Sequence, residues 1–184
     1  MEPSPTRLFL AAVPDAASRR GLEHLQTLLR AAWPGAPGVR WTLPADLHLT
    51  LRYLGAASPG QRAGIAALAA RTMVGPRRFE LQPGVLAAWP ARRPRLLVLE
   101  YPGPPELAHL VAELEAGARS LGFAGESRPW RPHVTLARGS VPDSTPEPPA
   151  PPRFVTHALG LFGNASPGAQ MRYRLIQSWP LPAA

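Results

Sequence analysis

Two of the five histidines lie in copies of one pattern. Asp46-Leu47-His48-Leu49-Thr50-Leu51-Arg52 recurs in outline as Pro132-His133-Val134-Thr135-Leu136-Ala137-Arg138. Each copy is His-x-Thr-Leu within an apolar stretch that reads as a strand. Side chains two apart in a strand share a face, so each histidine stands beside its threonine. Strict alternation continues the first row through Arg52, with Leu47, Leu49 and Leu51 packed behind. It makes the second row Arg131, His133 and Thr135, backed by Val134 and Leu136, and turns Arg138 to the face opposite His133. Two polar rows from the two halves of one chain suit the two walls of a cleft.

Such a cleft fits phosphoester cleavage without a metal. Histidine titrates near pH 6.5, so one ring can take a proton from water while the other gives one to a leaving oxygen. Threonine hydroxyls can donate to the non-bridging phosphate oxygens, and arginines can do so with full charge and a forked geometry. Other chemistries lack parts. There is no cysteine, which removes disulfides, iron–sulfur clusters and thiol nucleophiles. A zinc site needs three or four protein ligands, and no His-x-x-x-His occurs. No lysine is present for a phosphate-binding Gly-Lys loop, and there is no Gly-x-Ser-x-Gly elbow. No metal or cofactor is expected.

A lone histidine in an apolar strand is by default a hydrogen-bonded structural residue; the pairing reverses that default for His48 and His133. His24 and His109 fall in helical patterns among glutamates and read as solvated or salt-bridged, and His157 reads as structural. Arg77-Arg78 and Arg92-Arg93-Arg95 flank turns and read as solvated surface. Trp130, beside the second motif, is the one tryptophan placed to stack on a base.

The elements that must position these rows are legible from periodicity and punctuation. Segment 7–13 (RLFLAAV) reads as a strand ended by Pro14. Asp15 caps a helix to about Ala32, with Leu22, Leu25, Leu28 and Leu29 at helical spacing. Segments 39–43 and 47–54 read as strands joined by a turn at Pro44. Ser58-Pro59-Gly60-Gln61 is a capping box with proline at the first helical position, opening a helix to about Met73. Strands are expected over 78–89, broken at Pro83-Gly84, and over 95–101. A third helix begins after Pro104-Pro105 and runs to about Leu121. The last strands cover 133–137, 154–161 and 172–179, with an exposed proline-rich loop over 142–152. Strands and helices do not alternate steadily, which predicts α+β with a mainly antiparallel sheet.

Composition sets the outer limits. A chain of 184 residues with 45% hydrophobic content can bury a real core. No apolar run approaches the roughly 20 residues of a membrane span, and the first apolar run is too short for a signal peptide, so a cytoplasmic protein is expected. The net charge of +8 is compatible with a polyanionic partner. All 20 basic residues are arginine, a whole-chain bias, so the charge is supporting evidence only.

At these motifs the sequence resembles the two-histidine (2H) phosphoesterases, and within them the RNA 2′,3′-cyclic phosphodiesterases, also known as LigT-like or 2′-5′ RNA ligases. The resemblance covers almost the whole chain, from Arg7-Leu8-Phe9-Leu10-Ala11 through both motif regions to Gly168, Tyr173 and Leu181. Asn164 stands where members often carry serine. The resemblance implies a bilobal α+β fold spanning 1–184, two mainly antiparallel sheets with outer helices related by pseudo-twofold symmetry around a central cleft. It implies hydrolysis of 2′,3′-cyclic phosphate ends of RNA or nucleotides to 2′-phosphates, by a monomer. By analogy His133 activates water, His48 protonates the departing 3′ oxygen, and Thr50 and Thr135 hold the phosphate. Phe9, Arg52, Arg131 and Arg138 are the further candidate substrate contacts. Two alternatives remain: 2′-5′ ligation at the same site, and a non-catalytic RNA-binding module.

Overall fold

The computed structural model describes residues 7–33, 38–73, 78–142, 150–166 and 171–182. Most of the proline-rich segment (143–149) and Gly168 lie outside the described residues. Nine strands and three helices are present among those described: β1 (Arg7–Pro14), α1 (Ala16–Ala32), β2 (Val39–Trp41), β3 (Leu49–Ala56), α2 (Pro59–Thr72), β4 (Glu80–Leu81), β5 (Val85–Trp89), β6 (Leu96–Glu100), α3 (Pro105–Ser120), β7 (His133–Gly139), β8 (Phe154–Asn164) and β9 (Tyr173–Pro180). No helix among the described residues is long and apolar enough to cross a membrane.

Every strand pair is antiparallel. The order runs β4-β8-β1-β3-β7-β6-β5, with β9 added on β8 and β2 on β7. The two halves of this sheet meet at one register pair, Leu49 with Val134. Those residues are the x of each His-x-Thr. Chain order repeats as well: β1–α1–β3 in the first half has its counterpart in β6–α3–β7, each ending on a motif strand.

Local chemistry sets the element boundaries. The Asp15 carboxylate accepts from the Ser18 amide at 2.7 Å and starts α1. Ser58 and Gln61 form the reciprocal capping box of α2, and Pro105 opens α3. In α1 the buried stripe is Leu22, Leu25, Gln26 and Leu29. Leu28, expected on that stripe, is 37% exposed, because at 100° per residue it falls off the arc shared by positions 22, 25, 26 and 29. Gln26 takes the inner position. Leu8, Leu10, Leu49, Leu97 and Leu99 are fully buried in the core behind the sheet.

Candidate active site

Each histidine is held the same way. The Pro44–Asp46 helical turn delivers His48 to the start of β3, and its Nδ1 lies 2.7 Å from the Asp46 carbonyl. The Nδ1 of His133 lies 2.8 Å from the Arg131 carbonyl. A carbonyl only accepts, so both rings carry their proton on Nδ1 and keep the Nε2 lone pair free. The junction register extends the match: with Leu49 opposite Val134, antiparallel pairing sets His48 toward Thr135 and Thr50 toward His133. Trp130 pins this junction, its indole N–H donating to the Thr50 carbonyl at 3.0 Å. The bond ties the two motif regions together and leaves the half-buried ring faces uncommitted.

Two β-bulges change the rows that simple alternation predicts. On β3, Leu10 pairs with Arg52 and Ala11 with Thr50, so Leu51 is the extra residue. On β7, Leu97 pairs with Ala137 and Val98 with Thr135, so Leu136 is the extra residue. Each bulge falls on the leucine of His-x-Thr-Leu and inverts the facing of the residues beyond it. Arg52 is consequently turned away from the cleft. It is 6% exposed, ion-paired with Glu115 of α3, and donates to the Tyr53 and Ala124 carbonyls. The expectation that Arg52 contacts substrate is corrected: it belongs to the packing behind the sheet. Arg138, expected on the opposite face, is turned toward His133 and Thr135. It lines one cavity with His48 and Thr135. Tyr53, 48% exposed, occupies the position in β3 that Arg138 occupies in β7.

Aromatic rings back both histidines. Phe9 stacks on His48 with centroids 4.8 Å apart, and Tyr173 meets His48 edge-on at 5.5 Å. Phe9 is 4% exposed, so it supports the His48 ring and is not an open substrate contact. Trp89 packs on His133 at 4.5 Å. Arg131, the other expected substrate contact, is committed elsewhere: its guanidinium lies over Trp89 at 4.5 Å and pairs with Glu100 at 2.5 Å. Its carbonyl is what serves His133. Trp89 in turn donates to Glu100 at 2.7 Å.

Burial dominates the electrostatics. Loss of solvent lowers the His48 pKa to about 4, with Arg138 and His133 pushing the same way against the Asp46 carbonyl and carboxylate. Burial also lowers His133, opposed by the Arg131 carbonyl and Glu100. Both rings are thus neutral bases in the free protein at neutral pH. Arg138 is itself depressed by burial and by Arg172, with Tyr173 opposing.

The cavity beside His48 measures about 300 Å³ and is lined by Thr135, Arg138, Arg40, Trp41, Arg172 and Tyr173 among others. Asp46 shapes it from below, its carboxylate accepting the backbone N–H groups of Arg172 (2.9 Å) and Tyr173 (3.3 Å). Sequence reasoning treated Asp46 only as a turn residue and missed Glu100, Trp89, Arg40 and Arg172. No spacing signal exposes them, because their roles come from cross-strand pairing. Asp46 and Arg131 share one signal, a position two residues before each histidine. Among the described residues no group of three or more His, Cys, Asp and Glu side chains gathers as a metal site.

Comparison with known proteins agrees with this fold. The family model described as the 2′-5′ RNA ligase superfamily matches residues 13–157. The RNA 2′,3′-cyclic phosphodiesterase of Escherichia coli is 28% identical over 96% of this chain and 97% of that protein. The Bacillus subtilis protein of the same name is 34% identical, over 54% of this chain and about half (55%) of its own length. The crystal structure of E. coli LigT complexed with 3′-AMP superposes with a TM-score of 0.80 at 28% identity, covering 97% of this chain and 99% of that one. A Thermus thermophilus structure, TT0787, shares the fold with a TM-score of 0.78 at 23% identity. With its paired motifs, antiparallel α+β sheet and a match over most of its length, the chain belongs to the 2′-5′ RNA ligase superfamily.

Proposed function

We propose that this protein hydrolyses 2′,3′-cyclic phosphate ends of RNA to 2′-phosphate ends by paired-histidine acid–base catalysis, without a metal ion, at one site built from both halves of the chain. One observation carries the reading: two histidines tethered identically through Nδ1 to the carbonyl two residues before them, on motif strands that pair at Leu49 and Val134. Binding alone needs no such matched pair of proton-transfer groups. The names of the E. coli and B. subtilis relatives point to the same reaction.

In this mechanism His133 Nε2 takes a proton from water, and the oxygen attacks phosphorus. The bond to the 3′ oxygen breaks, and His48, protonated at Nε2, gives its proton to that oxygen. The products are a 2′-phosphomonoester and a 3′-hydroxyl. Solvent then resets the two rings. Thr50, Thr135 and Arg138 hold the non-bridging oxygens. His48 is neutral in the free protein near pH 7, so it takes up its proton from solvent as the substrate binds: the bound phosphate anion favours the imidazolium and offsets the field of Arg138.

The test is an oligoribonucleotide ending in a 2′,3′-cyclic phosphate, incubated in EDTA with products resolved by chromatography. The expected product is the 2′-phosphate, with His48→Ala and His133→Ala each slower by about 10²–10⁴-fold. A 3′-phosphate product overturns the histidine roles. Activity that needs an added divalent ion overturns the metal-free mechanism. Joining to a 5′-hydroxyl strand with no hydrolysis moves the assignment to ligation.

A further inference from the structure

Three arginines crowd the His48 cavity: Arg138, Arg40 and Arg172. Arg40 lies directly opposite Arg138 in the β2–β7 register. Directly opposed residues share a face, and like charges there are destabilising. Among the described residues, none of the three is in an ion pair. The single carboxylate in the cavity wall, Asp46, is already spent on two backbone N–H groups. The protein therefore keeps three positive charges against one negative charge beside its histidines.

A single cyclic phosphate carries one negative charge, which Arg138 alone can meet. Arg40 and Arg172 are left facing the same space. Resting on the hydrolase reading above, we infer that Arg40 and Arg172 form a second phosphate subsite, which holds the phosphodiester on the 5′ side of the terminal nucleotide. The substrate class is then an oligoribonucleotide end, and a nucleoside 2′,3′-cyclic monophosphate fills only half of the site. Placement supports this assignment. Arg40 is brought in by a three-residue strand whose approach depends on Gly139, at φ +112°, because a Cβ there would run into the Gly38 carbonyl. Arg172 is fixed by its own backbone bond to Asp46. Both guanidiniums thus extend from anchored backbone.

Three substrates test the inference with the wild-type protein: adenosine 2′,3′-cyclic monophosphate, ApA ending in a 2′,3′-cyclic phosphate, and that dinucleotide with an uncharged methylphosphonate linkage. The charged dinucleotide should exceed the other two in kcat/KM by about tenfold or more, the effect of one charge-assisted hydrogen bond. Arg40→Gln and Arg172→Gln should each lose more on the charged dinucleotide than on the mononucleotide, and so shrink that advantage. Equal rates on charged and uncharged dinucleotides overturn the subsite. If none of the three substrates is turned over, the hydrolase reading has failed. Titration of the two dinucleotides into His133→Ala protein then decides the subsite separately: tighter binding of the charged one upholds it, and equal affinity overturns it.

Discussion

At the scale of single residues, the two histidines are tuned by burial and oriented by backbone. The proposed reaction needs one ring protonated and the other neutral, while both pKa values lie below the ordinary 6.5. The kcat/KM profile, which reports free protein, should therefore be bell-shaped with its optimum below pH 6.5. The kcat profile should peak at higher pH, because the bound phosphate raises the histidine pKa values. A rate that climbs steadily from pH 5 to 9 contradicts paired-histidine catalysis. Stability carries the same signature. The folded His48 value of about 4 lies below the unfolded 6.5, so between them the unfolded chain binds more protons. The His48 contribution is complete above pH 6.5, is lost as pH falls toward 4, and changes no further below that. Denaturant unfolding at stepped pH should show this slope in wild type and a shallower one in His48→Gln. Phe9 acts on the same ring from behind, so Phe9→Leu should lower kcat more than it raises KM. A purely KM effect would return Phe9 to substrate contact.

At the scale of elements, the paired bulges decide which side chains reach the cleft. Without the extra residues Leu51 and Leu136, Arg52 would face the site and Arg138 would face the core. The bulges reverse both, and α3 supplies Glu115 to receive the arginine turned inward. Removing one partner of a largely buried pair strands the other's charge. Arg52→Ala should lower unfolding stability by about 3 kcal/mol, while the folded fraction keeps its kcat/KM on cyclic-phosphate ends. Equal stability with lost activity would place Arg52 in the cleft after all. The same reasoning explains why the sequence misreads these positions. A bulge at a leucine leaves the hydrophobic pattern unchanged, since the leucine is buried either way.

At the scale of the whole molecule, the site exists only where two half-sheets meet, and the sheet joins them through one residue pair. Other bonds hold the halves together. Gln26 of α1, 1% exposed, donates to the Thr42 and Leu136 carbonyls, both at 2.9 Å. Leu136 is the bulged residue that aims Arg138, so one side chain ties α1 to the second motif. Glu115 of α3 ties the second half to β3 in return. Gln26→Leu strips a donor from both carbonyls, and Leu136 retains the Thr42 amide. That substitution should cost about 2 kcal/mol of stability and lower kcat/KM in the folded protein, as read by denaturation and by the cyclic-phosphate assay. Activity unchanged at saturating stability would detach the junction from catalysis.

Within the chain's own order of residues lay the repeat and most of the elements. His-x-Thr spacing alone puts each histidine beside its threonine, because a strand repeats every two residues. The capping residues Asp15 and Ser58 start helices where local hydrogen bonds dictate. Proline at 14 and 59, and the Pro83-Gly84 pair, mark breaks by their backbone constraints. These are short-range effects, and neighbouring residues determine them. Tertiary structure decided which arginine faces the cleft, which aromatic supports which histidine, and where Arg40 and Arg172 converge. Those outcomes depend on register between strands far apart in sequence. One extra residue in a strand reverses every side chain beyond it, and neither bulge leaves a trace in the pattern of residue types.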